Sequence, residues 1–214
     1  KPKIVGFSSV SSQFIFVSDL AKMIKEIYKG IIVCGGVHPT IFPDCIFSVP
    51  AFDGIFIGEN EYTFLDFVSA VAKGGNYKHI DNFCYVEKDK LIKNKLRSKI
   101  ENLEKLPFPD RDIYYYQSII DANNGVATLM TNRGCPFHCT YCSNHAIARV
   151  YGEDRNITRY NSVDRVLAEI DMLKAKYKFE KLWFIDDLFI LNRKWLDEFL
   201  SKYSARFNIP FMCQ

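Results

Sequence analysis

Three cysteines crowd into one short run, Cys135-Pro136-Phe137-His138-Cys139-Thr140-Tyr141-Cys142. Thiols spaced at i, i+4 and i+7 on a compact loop can converge on one centre, and soft thiolates select iron–sulfur clusters, Zn or Cu(I). The count of three is informative. A cluster held by three cysteines leaves one iron open, and an open metal position is a place where something else binds. The competing reading is a structural zinc site of Cys3His type completed by His138 or His145. Structural zinc sites usually pair their ligands in separate knuckles, which this run does not do.

The elements around this loop must position it. Residues 3–10 read as a buried strand breaking into a Ser-rich loop, followed by a helix over about 16–28; Ile31–Cys34 is a second apolar strand, punctuated by Gly35-Gly36 and Pro39. A third strand, Gly54–Ile57, ends at Gly58-Glu59, and a helix over about 61–73 stops at Gly74-Gly75. Nearly continuous apolar strands joined by helices imply a parallel sheet covered on both faces. From about 76 to 124 the pattern changes to a hairpin (83–86, then 91–94) and a proline-punctuated passage, which reads as a linker. Alternation resumes with strand 126–131, the cysteine loop, helix 163–177, strand 181–185, helix 194–207 and strand 209–212. The predicted fold class is α/β: a partial Rossmann-like, flavodoxin-like parallel sheet domain over 1–75, the linker with its hairpin over 76–124, and the first units of a partial (β/α) barrel over 125–214.

Only 89 residues run from Val126 to Gln214, whereas a complete eight-fold barrel takes roughly 250. The first half likewise shows three strands where a doubly wound domain has five or six. With a start at Lys1-Pro2-Lys3 that lacks Met, the sequence looks truncated at both ends. The 28 Lys+Arg and 25 Asp+Glu nearly balance, and the excess sits in one strip, 87–105. That strip reads as a solvated face, so no nucleic-acid partner is expected. No apolar run reaches the ~18 residues of a membrane span, and no signal peptide is visible. Seven cysteines, an odd number, argue against a secreted disulfide framework and for a cytoplasmic protein. Cys34, Cys45, Cys84 and Cys213 read as buried small apolar residues. Phe14, Phe16, Phe64 and Phe67 read as helical core.

Arg133-Gly134-Cys135-Pro136-Phe137-His138-Cys139-Thr140-Tyr141-Cys142-Ser143 resembles the CxxxCxΦC signature of the radical SAM superfamily. The resemblance implies a [4Fe–4S] cluster on Cys135, Cys139 and Cys142, with S-adenosylmethionine (SAM) on the fourth iron and Tyr141 against its adenine. Reductive cleavage of SAM would then give a 5′-deoxyadenosyl radical. Asp186-Asp187, after Leu182-Trp183-Phe184-Ile185, resembles the family's variant segment that receives the SAM amino group. Ser8-Ser9, Gly35-Gly36 and Gly58-Glu59, in this order before the cysteine loop, resemble the cobalamin-binding domain of B12-dependent members, whose strand-end loops contact the cofactor. The Asp-x-His-x-x-Gly motif that offers a lower cobalt ligand in many B12 domains does not occur in this sequence, and His38 reads as a structural loop residue. The resemblance further implies a small-molecule, lipid-like or tetrapyrrole-like substrate and an electron donor such as flavodoxin or ferredoxin. It fits methyl transfer to, or rearrangement of, an unactivated carbon. The alternatives are a radical SAM enzyme of the methylthiotransferase or anaerobic tetrapyrrole cyclase type without cobalamin, and a non-catalytic zinc module. Turnover by this 214-residue piece alone is not expected.

Overall fold

The structure is a computed structural model and describes residues 2–155 and 157–214. In chain order the elements are β1 (Ile4–Ser8), α1 (Phe14–Ile27), β2 (Ile31–Gly35), α2 (Val37–Ile41), β3 (Gly54–Phe56), α3 (Glu61–Ala72), β4 (Phe83–Glu87) and β5 (Lys90–Lys93). They continue with α4 (Tyr116–Ala122), β6 (Val126–Leu129), β7 (Asn132–Arg133), α5 (Ser143–Val150), β8 (Arg159–Tyr160), α6 (Val163–Lys176), β9 (Lys181–Phe184), α7 (Arg193–Arg206) and β10 (Phe211–Met212). The chain forms two compact units: Lys1–Ile100 with Phe137–Arg155, and Glu101–Pro136 with Asn156–Gln214.

In the first unit a five-stranded sheet runs in the order β1-β2-β3-β4-β5. The first three strands are parallel, as their apolar runs and helical connections dictate. Side chains alternate across the sheet. Ile32, Cys34, Ile55 and Cys84 pack with Phe14, Val17 and Ala21 of α1, while Val33, Phe56, Phe83 and Tyr85 pack with Phe67 of α3. The hairpin expected in a linker instead extends this sheet: β4 pairs antiparallel with β3, and β5 with β4. Phe83, Cys84 and Tyr85 are buried, which gives β4 an inner strand's composition and leaves the lysine-bearing β5 at the edge, where charge is tolerated.

Burial corrects two groups of residues. Phe14 and Phe67 are core, but Phe16 is 71% exposed and Phe64 38%. Phe14 and Phe16 stand two positions apart, about 200° around the helix, so one cannot follow the other inward. Cys34, Cys45 and Cys84 are buried, whereas Cys213 is exposed, just beyond the last paired residue of the edge strand β10. Burial pushes the Cys34 thiol up to about 12 and those of Cys45 and Cys84 to about 11. All three therefore stay protonated and unreactive at neutral pH.

The second unit holds an open parallel sheet, β10-β9-β6, with no barrel closure. Ala127, Leu129, Leu182 and Phe184 pack under α6 and α7 against Ile170, Trp195 and Phe199. Ser162 caps α6 by accepting from Arg165 N–H, and Asn192 caps α7 by accepting from Trp195 N–H. The passage before β6 is tied down by Arg165, which donates to Leu106 O at 2.6 Å, and by the Arg111–Glu169 ion pair at 2.7 Å. Among the described residues no helix is long and apolar enough to cross a membrane.

Candidate functional site

The structure gathers all six residues expected at the cobalamin site at one end of the first sheet. Ser8-Ser9, Gly35-Gly36 and Gly58-Glu59 lie at or just beyond the C-terminal ends of the three parallel strands β1, β2 and β3, the end at which open α/β sheets place their ligands. Ser9 N–H donates to Gly35 O at 2.9 Å, and His38 N–H donates to Ser9 O at 3.0 Å. Gly36 has φ +96°, and a Cβ there would lie 2.7 Å from both Ser9 N and Ser9 O. Only glycine permits this approach. Thr40 joins the loops: its hydroxyl donates to Gly36 O at 2.7 Å and accepts from Gly58 N–H at 3.0 Å.

Gly36→Ala is expected to cost at least ~2 kcal/mol, from left-handed backbone strain plus the clash with Ser9. Gly75→Ala, where a Cβ would meet Ala70 O at an ordinary 3.5 Å, is expected to be neutral or slightly stabilising. Urea denaturation checks both, and a neutral Gly36→Ala would contradict the strain.

The Gly58-Glu59 loop is pinned from several sides. Glu59 N–H donates to the Tyr151 hydroxyl at 2.7 Å, Ile100 N–H donates to the Glu59 carboxylate at 2.8 Å, and Asn82 Nδ2 donates to Glu59 O at 2.9 Å. Gly58 has φ +77°, and a Cβ there would fall on the Tyr151 hydroxyl. His38 is occupied as a loop fixture: Nδ1 lies 3.0 Å from Ser11 Oγ, and its ring lies 4.0 Å from that of Phe14. Burial lowers its pKa.

The thiol loop carries Cys135 and Cys142 half-buried and Cys139 exposed, all three free. Cys142 N–H donates to Cys139 O at 3.0 Å, and Asn144 Nδ2 donates to Cys142 Sγ at 3.6 Å. Cys142 is also the N-cap residue of α5, a helix the sequence reading missed. Tyr141 is 91% exposed. Among the described residues no three His, Cys, Asp or Glu side chains form a group that could hold a metal ion. The donor set fits a thiolate-held cluster: three free thiols accessible at least in part, on a stretch with no helix or strand between Arg133 and Ser143 that would oppose their convergence.

The structure separates the two aspartates. Asp186 is fully buried and accepts from Thr131 N–H at 2.6 Å, Thr131 Oγ1 at 3.1 Å and Asn132 N–H at 2.6 Å. It ties the end of β9 to the end of β6, which leaves little of it to receive an ammonium. Burial raises its pKa, opposed by these hydrogen bonds. Asp187 faces solvent. The signal was present in the sequence, because the inward alternation Leu182, Phe184 continues to residue 186. Thr40 sits in the glycine-rich run and was within reach of the same reading. Tyr151 carried no local signal, since its partner is 92 positions away. A cavity of about 310 Å³ in the second unit is lined in part by Thr128, Met130, Asn132 and Ile185 at the β6 and β9 ends.

The first unit thus carries a parallel sheet with glycine-rich strand-end loops, and three free thiols follow β6 and β7 along the chain. Residues 1–68 match the family model described as B12 binding domain. The chain is 32% identical over 195 residues to an uncharacterized methyltransferase of Pyrococcus horikoshii, covering 90% of this chain and 41% of that protein. It is 28% identical over 214 residues to the anaerobic magnesium-protoporphyrin IX monomethyl ester cyclase of Rubrivivax gelatinosus, covering 96% of this chain and 37% of that protein. The chain thus spans less than half the length of either relative. In fold it is similar to the radical S-adenosylmethionine methyltransferase TsrM of Kitasatospora setae, solved with cobalamin and a [4Fe–4S] cluster bound (TM-score 0.71, 13% identity, 96% of this chain and 41% of that one).

Proposed function

We propose that the strand-end loops of the first unit hold cobalamin, that Cys135, Cys139 and Cys142 hold a [4Fe–4S] cluster with SAM, and that the complete protein is a radical methyltransferase. The observation carrying this reading is the convergence of Ser8, Ser9, Gly35, Gly36, Gly58 and Glu59 at the ends of three parallel strands, within a stretch that matches the B12 binding domain. When bound, the cluster supplies the electron that cleaves SAM and cobalamin supplies the methyl group. The residues of this chain bind and orient. Gly36 and Gly58 let the strand-end loops close on Ser9 and Tyr151, which shapes the edge offered to the cofactor. Tyr141, fully presented to solvent, covers the adenine, and the exposed Asp187 receives the SAM ammonium, a charge-assisted contact that Asp186 is too enclosed to make. Asp186 holds the strand ends beneath it. The second-unit cavity suits a small-molecule substrate.

The test is anaerobic reconstitution of the complete protein with iron, sulfide and hydroxocobalamin. Expected are three to four irons per chain, stoichiometric cobalamin and 5′-deoxyadenosine formed from SAM. Similarity to the cyclase favours one other reading, a radical SAM enzyme acting on a tetrapyrrole, and a cluster with SAM cleavage but no cobalamin uptake would support it. One zinc and no iron would sink both.

A further inference from the structure

The loop at Gly58-Glu59 and the helix that begins at the thiol loop are joined through Tyr151. α5 starts directly after Cys142 and runs eight residues, Ser143–Val150, about 12 Å of rigid helix. Tyr151 follows at once, and its hydroxyl accepts Glu59 N–H at 2.7 Å. The approach is so close that Gly58 has no room for a Cβ. Further contacts surround the tyrosine and the loop. Lys99 Nζ stands 4.9 Å from the centre of its ring and pairs with Glu153 at 2.5 Å, while Ile100 N–H grips the Glu59 carboxylate at 2.8 Å. α5 also packs against α2, which follows Gly36. This short helix and the tyrosine that follows it therefore meet the helix after β2 and the loop after β3, and its N-cap residue is a thiol of the other site.

We propose that Tyr151 is a positioning residue through which cobalamin occupancy of the strand-end loops orders the segment bearing Cys139 and Cys142. This rests on the cobalamin reading given above. A cofactor seated on Gly35-Gly36 and Gly58-Glu59 fixes those loops; the Tyr151 hydroxyl transmits the fixed position to the end of α5, and the helix passes it to Cys142 at its start. Tyr151 touches neither the cluster thiols nor reacting atoms in this scheme. Its effect is to let one cofactor prepare the loop for the other, which is a coupling between two sites in the thermodynamic sense.

Hydrogen exchange measured by mass spectrometry on the complete, cluster-free protein, with and without saturating hydroxocobalamin, tests this. In the unaltered protein hydroxocobalamin is expected to slow exchange in the loops at 35–38 and 58–60 and, at least fivefold, in 137–150. Tyr151→Phe keeps the ring and loses only the hydroxyl. It is expected to bind hydroxocobalamin within tenfold of the unaltered affinity and to protect 35–38, with the protection of 137–150 lost. Lys99→Met, which leaves the hydroxyl contact in place, is expected to retain it. Protection of 137–150 that survives Tyr151→Phe overturns the proposal, as does protection confined to the strand-end loops in the unaltered protein. Failure of the unaltered protein to take up hydroxocobalamin is a separate result: it overturns the cobalamin reading, and the coupling falls with it.

Discussion

Cys142→Ala in the complete protein is expected to cut 5′-deoxyadenosine formation by at least ~10²-fold and to empty the reconstituted protein of most of its iron. Structural metal sites with four ligands bind with about 10–16 kcal/mol, so each ligand contributes roughly 2.5–4 kcal/mol, on the order of 10²–10³ in occupancy. The proposed set of three protein ligands has no redundancy, and the two remaining thiols are expected not to hold a cluster alone. Cys142 has a second role as the N-cap residue of α5, but its side chain makes no capping hydrogen bond there. Alanine therefore removes the donor with little damage to the helix. Cys213→Ala, an exposed thiol outside the loop, is the control and is expected to leave iron content and SAM cleavage unchanged. Iron retained by Cys142→Ala with cleavage within threefold of the unaltered protein would remove this cysteine from the ligand set.

Asp186→Ala is expected to destabilise the second unit by about 3–5 kcal/mol, because two buried backbone N–H groups and a hydroxyl lose their acceptor at once. Against a typical total of about 5–15 kcal/mol, that loss alone brings the unit close to unfolding. The same residue gives a pH dependence with a definite sign. Burial raises its pKa above the unfolded value, so folding favours the protonated form. The stability this shift contributes is fully present below the ordinary carboxylate value and is lost as pH rises through the raised one. Urea denaturation of the unaltered protein and of Asp186→Asn at a series of pH values isolates it: the margin by which the unaltered protein exceeds the variant should widen as pH falls from neutral. A margin that stays constant or narrows would show that the hydrogen bonds from Thr131 and Asn132 outweigh desolvation.

Much of this site is readable from local chemistry. Gly35-Gly36 and Gly58-Glu59 mark where apolar strands stop, and a stop at the end of a parallel strand already places a loop at the ligand edge. Cysteine spacing nominates a donor set because all three thiols lie within one loop. What escapes is whatever depends on distant partners. Residues 143–150, Ser-Asn-His-Ala-Ile-Ala-Arg-Val, are too few to show a helical period, which needs a window of about 11–18 residues; α5 is completed by packing against α2, more than a hundred residues earlier. Phe16 and Phe64 have the composition of core and the helical phase of surface. The hairpin at 83–93 reads as separate until β3 is seen to need a neighbour. Asp186 and Asp187 differ only in strand parity, which the pattern of Leu182 and Phe184 does contain.

The first unit is written on the chain in two pieces, Lys1–Ile100 and Phe137–Arg155, and this imposes an order of events during synthesis. Translation proceeds at about 5–20 residues per second, so after Ile100 has been made, roughly 3–11 seconds pass before Arg155 is added. During that interval Gly58 and Glu59 have emerged without Tyr151, and α2 without the helix that packs on it. The nascent sheet must therefore wait, with those surfaces bare, for a segment encoded beyond the opening of the second unit. A ribosome stalled between these positions would display a B12 binding domain sequence whose Gly58-Glu59 loop still lacks its Tyr151 contact.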